Sequence, residues 1–298
     1  VSGEPKGSRA DRPVVLFPEW EGYALIDCGE RHKLERFGTR VLIRGEPKAW
    51  WGRDDRLAQW RSADAEIPDG GDRWQLGRGV ARSWEVRYGP LALEARLTDM
   101  SKHVGIFPEQ EPHWRWLQKR LSVRDRPRVL NLFGYTGAAT LVAASAGAQV
   151  THVDASKPAI SWARHNQVLS GLADAPVRWI LDDAFKFVAR EVRRGRVYDA
   201  ILLDPPSFGR GPKGEIWKVE QQIVPLLDNI RNLLSPGNGM VVLTLYNLEA
   251  SSLMLRTLMQ DRFPGGSLEY GELALPGGDG SKILPLSLFA RWEANAGS

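Results

Sequence analysis

From Thr98 onward the chain alternates short apolar runs with helical stretches, and this alternation limits the possible folds more than any other feature of the sequence. Apolar runs at 128–132, 149–153, 177–181, 198–203 and 240–246 are each followed by a helix-forming segment, at 138–147, 158–170, 184–193, 218–234 and 249–259. Units of this kind imply a parallel sheet covered on both faces, because each parallel connection must carry the chain back over the sheet. Two further runs, 267–275 and 283–292, have no helix between them. Pro276-Gly277-Gly278-Asp279-Gly280 separates them and predicts a terminal antiparallel hairpin. The expected class is α/β, with a seven-stranded sheet in a domain spanning 98–298.

Ahead of Thr98 the pattern is different. Residues 13–97 carry short alternating runs such as Tyr23-Ala24-Leu25-Ile26-Asp27 and Trp84-Glu85-Val86-Arg87-Tyr88, punctuated by Gly45-Glu46-Pro47 and Gly89-Pro90. These predict a small β-rich domain of hairpins. Six of the chain's 12 Trp fall in it, at 20, 50, 51, 60, 74 and 84. Large apolar rings suit a small core, and they also suit a surface on which nucleic-acid bases stack. Residues 1–12 are polar and expected to be loosely attached.

Composition excludes several classes of function. Of 298 residues, 43% are hydrophobic and 26% charged, an ordinary globular balance. No apolar run is long enough to cross a membrane, and no apolar core of a signal peptide follows the first residues. The one cysteine, Cys28, allows no intrachain disulfide and no cysteine-based zinc site, which fits a cytoplasmic location. His32, His103, His113, His152 and His165 lack metal-ligand spacing, so no metal is expected. A net charge of +4 favours a nucleic-acid partner only weakly. The basic runs 115–128 and 186–196 are the positions expected for phosphate contacts, or are simply solvated faces.

The chemistry is written at four strand ends. Val129-Leu130-Asn131-Leu132-Phe133-Gly134-Tyr135-Thr136-Gly137 is a strand running into a glycine turn and then an Ala-rich helix. Its glycines permit close backbone approach, and the helix start offers free N–H groups. It departs from G-x-G-x-x-G, which weakens a dinucleotide reading. Asp154 ends the next strand, 20 residues beyond Gly134, where a carboxylate can accept from both hydroxyls of a ribose or serve as a turn residue before Pro158. Asp182-Asp183 follows the third strand; one of the pair can accept from an adenine amino group, or cap the helix that starts at Ala184. The fourth strand ends in Asp204-Pro205-Pro206-Ser207-Phe208-Gly209, where prolines stop the sheet and project a stiff loop. Arg210-Gly211-Pro212-Lys213-Gly214-Glu215 extends it as a mobile, lid-like segment.

With these motifs in this order, residues 101–292 resemble the class I S-adenosylmethionine-dependent methyltransferases, and more narrowly the family containing bacterial ribosomal RNA large-subunit methyltransferases. The resemblance rests on Asn131–Gly137, Asp154-Ala155-Ser156, Arg164-His165-Asn166 with Ser170-Gly171-Leu172, Asp183-Ala184-Phe185 and Asp204-Pro205-Pro206-Ser207-Phe208. Ser101-Lys102-His103-Val104-Gly105-Ile106-Phe107-Pro108-Glu109-Gln110 belongs to it as well. It implies a Rossmann-like sheet, S-adenosyl-L-methionine as cofactor, and an RNA substrate, with no membrane; a homodimer is compatible with it. It places the cofactor on Phe107, Gln110, Phe133, Gly134, Tyr135, Thr136, Gly137, Asp154, Ala155, Ser156, Asp183, Ala184 and Asp204. Asp204, Pro205, Pro206 and Phe208 are then the catalytic residues, and His103 draws interest through its place in the segment ahead of the sheet.

Two departures narrow the reading. The RNA-binding PUA module often found at the front of this family is not recognisable. Family members that make 5-methylcytosine carry a cysteine after the fifth strand, where this chain reads Leu243-Thr244-Leu245-Tyr246-Asn247. That reaction needs a thiolate to attack the base. RNA methylation away from cytosine C5 is therefore the first reading; methylation of a small molecule or a protein, and a catalytically idle cofactor-binding role, are the alternatives. RNA containing 5-fluorocytosine is expected to leave no denaturation-resistant complex with the protein, and Cys28→Ser to remain active. An adduct on denaturing gels that disappears in Cys28→Ser would overturn this.

Overall fold

The structure, a computed structural model, describes residues 12–99 and 101–295. All but the last residue of the expected loose segment 1–12 lies outside them. The N-terminal part opens with β1 (Val14–Leu16), followed by β2 (Tyr23–Gly29), β3 (His32–Phe37), β4 (Arg40–Gly45), β5 (Ala65–Glu66) and β6 (Gln75–Leu76). Strands β2 to β6 form one sheet, joined in sequence order. A separate hairpin follows, β7 (Ser83–Tyr88) and β8 (Leu91–Arg96), turning at Gly89 with φ +53°. The β2–β3 turn has Glu30 and Arg31 at φ +51° and +62°, where Asn-Gly would be usual. The loop 49–51 supplies the compensation: its carbonyls at Trp51 and Ala49 accept from the N–H groups of Glu30 and Arg31 at 2.7 Å each.

Beyond Thr98 the expected alternation is present. The chain runs through α1 (Glu111–Leu121), β9 (Arg128–Leu132), α2 (Ala138–Ser145), β10 (Gln149–Asp154), α3 (Lys157–Leu169), β11 (Val177–Leu181), α4 (Ala184–Arg193) and β12 (Ala200–Leu203). A small hairpin, β13 (Phe208–Arg210) and β14 (Ile216–Lys218), precedes α5 (Val219–Arg231), β15 (Met240–Tyr246), α6 (Ser252–Arg262), β16 (Ser267–Pro276) and β17 (Ile283–Glu293). The main sheet runs β1-β16-β17-β15-β12-β9-β10-β11. Strands β9, β10, β11, β12 and β15 are mutually parallel, and β16–β17 is the antiparallel hairpin foreseen from the sequence. The seven expected strands gain an eighth, because β1 pairs in parallel with β16. Gly271 makes that pairing feasible: a Cβ there would lie 1.8 Å from the Val14 carbonyl oxygen. The segment 211–215, expected as a mobile loop, is the turn of the β13–β14 hairpin, tied down by Lys186 Nζ donating to Glu215 at 2.7 Å.

Each sheet face has its own core, because successive strand residues point to opposite sides. Leu130, Ile201 and Val241 meet Phe187, Leu226 and Leu255 from α4, α5 and α6 on one face. Val129, Leu202 and Val242 meet Leu117, Leu121 and Ala143 from α1 and α2 on the other. A third core is shared between the two parts of the chain: Trp20, Phe37, Leu42, Trp74 and Leu93 pack together with Trp114, Leu141, Leu275 and Leu284. Trp20, Trp60 and Trp74 are buried, and all six N-terminal indoles donate their N–H within the protein. Core filling thus accounts for most of these rings, and only Trp50, 79% exposed, presents its face to solvent.

Inside the N-terminal sheet lies a buried charge cluster. Glu35 accepts from Arg44 Nε at 2.6 Å and from Tyr23 Oη at 2.7 Å, and Lys33 Nζ lies 3.5 Å away. Burial alone would raise the Glu35 pKa, but Arg44 and Lys33 outweigh it and bring it down to about 2. Arg44 also donates to the Lys102 carbonyl at 3.2 Å, so the cluster grips the segment leading into the second part of the chain. Removing Glu35 strands a buried guanidinium. Glu35→Gln is expected to cost about 3–5 kcal/mol of stability, measured by urea unfolding. In the wild type this cluster contributes fully above about pH 4.5 and is lost as pH falls towards about 2. A denaturation midpoint unchanged by the substitution would refute this account.

Candidate active site

The parallel strands all end at one edge of the sheet, and their last residues or first loop residues face each other there. Phe133 follows β9, Asp154 ends β10, Asp182 follows β11, Asp204 follows β12 and Tyr246 ends β15. The sheet order reverses between β9 and β12, which opens a crevice at their carboxyl ends. A cleft of about 430 Å³ lies there, lined by Phe107, Phe133, Tyr135, Asp154, Ala155, Ser156, Asp183, Ala184, Asp204 and Pro206. A smaller hollow of about 70 Å³ opens beside it against Gln110, Gly134, Tyr135 and Thr136. Of the residues singled out from sequence, Gly137, Pro205 and Phe208 line neither space. Gly137 caps α2, Pro205 is buried, and Phe208 is 53% exposed on β13.

The turn after β9 is strained in a way the sequence did not announce. Phe133 and Tyr135 have φ of +57° and +50°, and Gly137 has +86°. Left-handed backbone at bulky residues costs free energy and persists only where packing enforces it. Here the rings are held: Phe133 packs on Trp217 at 5.0 Å between centroids, and Tyr135 on Phe107 at 5.6 Å. Gly134 permits a close backbone approach, here to a side chain of the protein itself. A Cβ there would lie 2.4 Å from the His152 ring, directly beneath the turn. His152 is fully buried, and burial lowers its pKa to about 3, so the ring is neutral. Its Nδ1 pairs with Thr140 Oγ1 at 2.9 Å, and Asn131 Nδ2 donates to the same hydroxyl at 2.9 Å. The turn rests on this polar triad.

Four carboxylates border the cleft, Asp154, Asp182, Asp183 and Asp204, with different degrees of freedom. Asp154 accepts from the Tyr135 N–H and the Ser156 N–H, each at 2.8 Å, one on each oxygen. Burial raises its pKa. Both oxygens keep a lone pair for a diol. Asp183 caps α4 by accepting from the Lys186 N–H at 2.9 Å, and Asp182 is paired with Arg190. Asp183 therefore performs the capping role considered for it, while its side chain still borders the cleft.

Segment 101–110 forms the opposite wall. Thr136 donates its hydroxyl to the Gly105 carbonyl, and Trp162 fills the place a Gly105 side chain would need. Asn166, part of the Arg164-His165-Asn166 motif, joins both halves of the chain: it donates to the Thr136 carbonyl at 3.0 Å and accepts from the Glu94 N–H at 2.9 Å. Gln110 donates to Asp204 Oδ2 at 3.1 Å and accepts from Thr244 at 3.3 Å. Asp204 Oδ1 is buried without a partner. Burial, with Glu109 nearby, pushes the Asp204 pKa up to about 8. His103 is driven down to about 4 by burial and by Arg44 and Lys102, and is neutral.

Asp204, His103, Phe107 and Tyr246 also line a second cavity of about 290 Å³ that reaches to Lys33, Arg44, Lys48 and Lys102 of the other wall. Sequence reasoning passed over Tyr246, although it obeys the same strand-end rule as Asp154. It had no signal for Trp217, which reaches the cleft only through the β13–β14 hairpin, with its N–H on the Pro206 carbonyl at 2.7 Å. Of the two readings of the basic runs 115–128 and 186–196, the contacts fit the solvated face. Arg124, Arg126 and Arg128 stand at the start of β9, the edge opposite the cleft, while Arg115, Lys186, Arg190 and Arg194 are held by carboxylates.

An acid that keeps its proton when folded and loses it when unfolded penalises the folded state increasingly as pH rises between the two pKa values. For Asp204 that window runs from about 4 to about 8. Asp204→Asn is expected to raise the melting temperature, with a gain near zero at pH 4 that grows to a plateau above pH 8. A gain independent of pH, followed by calorimetry, would contradict the buried-acid account.

Comparisons with known proteins identify the family. The family described as S-adenosylmethionine-dependent methyltransferase matches residues 49–255. Among solved structures, the S-adenosylmethionine-dependent methyltransferase from Agrobacterium tumefaciens is 46% identical, with a TM-score of 0.89, covering 94% of this chain and 93% of that one. Curated relatives include the ribosomal RNA large subunit methyltransferase K/L of Hahella chejuensis, 35% identical over 46% of this chain and 18% of its own length. The protein of that name from Chromohalobacter salexigens is 31% identical over 62% of this chain and 22% of its own. The chain thus matches about a fifth of the length of these curated relatives. It belongs to the S-adenosylmethionine-dependent methyltransferase family, and the cleft at the carboxyl ends of β9, β10 and β12 is its candidate active site.

Proposed function

We propose that this methyltransferase acts on RNA, ribosomal RNA foremost, at a position other than cytosine C5, and that it does so in the cytoplasm. The observation carrying this reading is the position of Asp204, which borders both the cleft beside Asp154 and the cavity that reaches Lys33, Arg44, Lys48 and Lys102. The relatives named ribosomal RNA large subunit methyltransferase K/L support it. In this reading residues 98–298 carry the reaction and 13–97 help to hold the acceptor.

The residues of the cleft fit S-adenosyl-L-methionine. Asp154 has a free lone pair on each oxygen for the ribose hydroxyls, and Asp183 with Ala184 borders the place for adenine. Phe133, Gly134, Tyr135 and Thr136 with Phe107 and Gln110 would enclose the amino-acid end, and Ala155 and Ser156 complete the ribose wall. The cofactor supplies a methyl group on a positively charged sulfonium. A cation in the cleft favours the charged form of Asp204 and draws its raised pKa back down. The ionised Asp204, or the Pro205 carbonyl, then accepts a hydrogen bond from the acceptor and orients it. Pro206 stiffens the loop and Phe208 offers a face to a neighbouring base.

Asp154→Ala is expected to weaken cofactor binding by about 1–3 kcal/mol, as measured by calorimetry. In a transfer assay with tritiated cofactor and total RNA from cells lacking the gene, label is expected in RNA. Unchanged cofactor affinity would refute the role of Asp154. Label appearing only in protein or small molecules would refute the choice of substrate.

A further inference from the structure

The cavity of about 290 Å³ is built by both parts of the chain: Lys33, Arg44, Glu46, Lys48 and Lys102 on one wall, Asp204, Tyr246 and Asn247 on the other, and Glu109, its pKa raised by burial, lines it as well. The cations of the first wall are of two kinds. Lys33 and Arg44 are neutralised by Glu35 and Glu46, at 2.6–3.6 Å. Lys48 and Lys102 are not. Lys48 Nζ donates to the Leu286 carbonyl at 2.6 Å and Lys102 Nζ to the Gly45 carbonyl at 3.2 Å, and among the described residues no carboxylate pairs with either. Burial lowers the Lys102 pKa, with Lys33 and Arg44 adding to it, and the opposing pull of Glu46 and Glu35 offsets this only in part, which leaves the ammonium short of counter-charge. An anion placed between Lys48 and Lys102 would supply it.

The connection carrying Lys48 carries a second feature. Trp50 is the most exposed of the N-terminal indoles, yet its ring is fixed, since its N–H donates to the Pro47 carbonyl at 2.7 Å. A rigid exposed ring beside uncompensated cations is the combination that holds single-stranded nucleic acid. By contrast, Arg210 is the one Lys or Arg among the residues lining the cofactor cleft, and the basic run 124–128 lies at the far edge of the sheet.

We infer that the N-terminal part docks the acceptor strand of RNA: the base to be methylated enters the cavity against Asp204, its phosphate rests between Lys48 and Lys102, and a neighbouring base stacks on Trp50. This rests on the RNA reading above. It moves the phosphate contacts from the basic runs of the catalytic part to the loop 46–50 and Lys102.

The test uses the full chain, total RNA from cells lacking the gene, and three variants: Lys48→Met with Lys102→Met, Trp50→Ala, and Arg124→Glu with Arg126→Glu. The double Met variant is expected to raise KM for RNA about tenfold or more and to flatten the log–log dependence of binding on salt by about 0.7, the share of one phosphate contact to a single strand. Trp50→Ala is expected to weaken RNA binding about tenfold. Cofactor affinity by calorimetry should stay at the wild-type value in both, which also reports that the fold is intact. Arg124→Glu with Arg126→Glu should leave KM for RNA within about twofold. If the wild type methylates RNA but the double Met variant keeps its KM and salt slope, the docking inference alone is overturned. It is overturned equally if only the Arg124 and Arg126 variant loses binding. If the wild type methylates no RNA, the substrate reading falls and this inference falls with it.

Discussion

The close approach of the turn after β9 to the buried ring of His152 is the contact on which the active site depends. With no side chain at Gly134, the backbone descends onto His152, and the Asn131–Thr140–His152 bonds fix that ring from below. The lowered turn brings the Tyr135 N–H to Asp154 and the Thr136 hydroxyl to Gly105. Three walls of the cleft are thereby registered to one another through a single backbone segment. The left-handed conformations of Phe133 and Tyr135 are the cost of that descent, and their aromatic contacts offset it.

The two parts of the chain are coupled by more than a linker. Trp20, Trp74 and Leu93 pack into the same core as Trp114, Leu141 and Leu284, so neither part buries its apolar surface alone. Polar contacts cross the same boundary. Asn166 bridges Glu94 to Thr136, and Arg44 links the Glu35 cluster to Lys102. Lys102 lies one residue ahead of His103 and three ahead of Gly105. The buried charge cluster therefore sets the position of the wall facing Asp204. Its depth in the sheet explains how a charged cluster can serve as a rigid part: every charge has a partner and little room to move.

Asp204 shows the opposite economy. Its Oδ1 has no partner, and its pKa lies far above that of a solvated carboxyl. Such a group burdens the folded protein and is retained where function uses it. Gln110, itself held by the Thr244 hydroxyl, donates to its second oxygen, so the free oxygen has a defined direction. The acid is oriented in advance of any ligand, and the site need not reorganise around it.

Much of this was legible in the sequence. The alternation after Thr98 determined the sheet, because a parallel crossover requires a helix of the length seen. β11, α4 and β15 lie where periodicity put them. The strand-end rule likewise marked Asp154, Asp183 and Asp204, since the carboxyl ends of parallel strands must share one edge. Other features belong to the tertiary structure alone. β1 joins the main sheet only because Gly271 leaves room for its backbone, and no local pattern encodes that pairing. Trp217 reaches the cleft because 208–218 folds as a hairpin, although its Gly-Pro-Lys-Gly composition reads as a loop. The basic runs could be phosphate sites or solvated faces in one dimension; the direction of β9 carries residues 124–128 to the far edge of the sheet, while Lys48 and Lys102 stand at the cavity that Asp204 borders. Periodicity and strand ends are local consequences of backbone geometry, so the sequence by itself determined them. Which charges remain uncompensated, and what they face, depends on contacts between residues distant along the chain, and only the folded structure decided that.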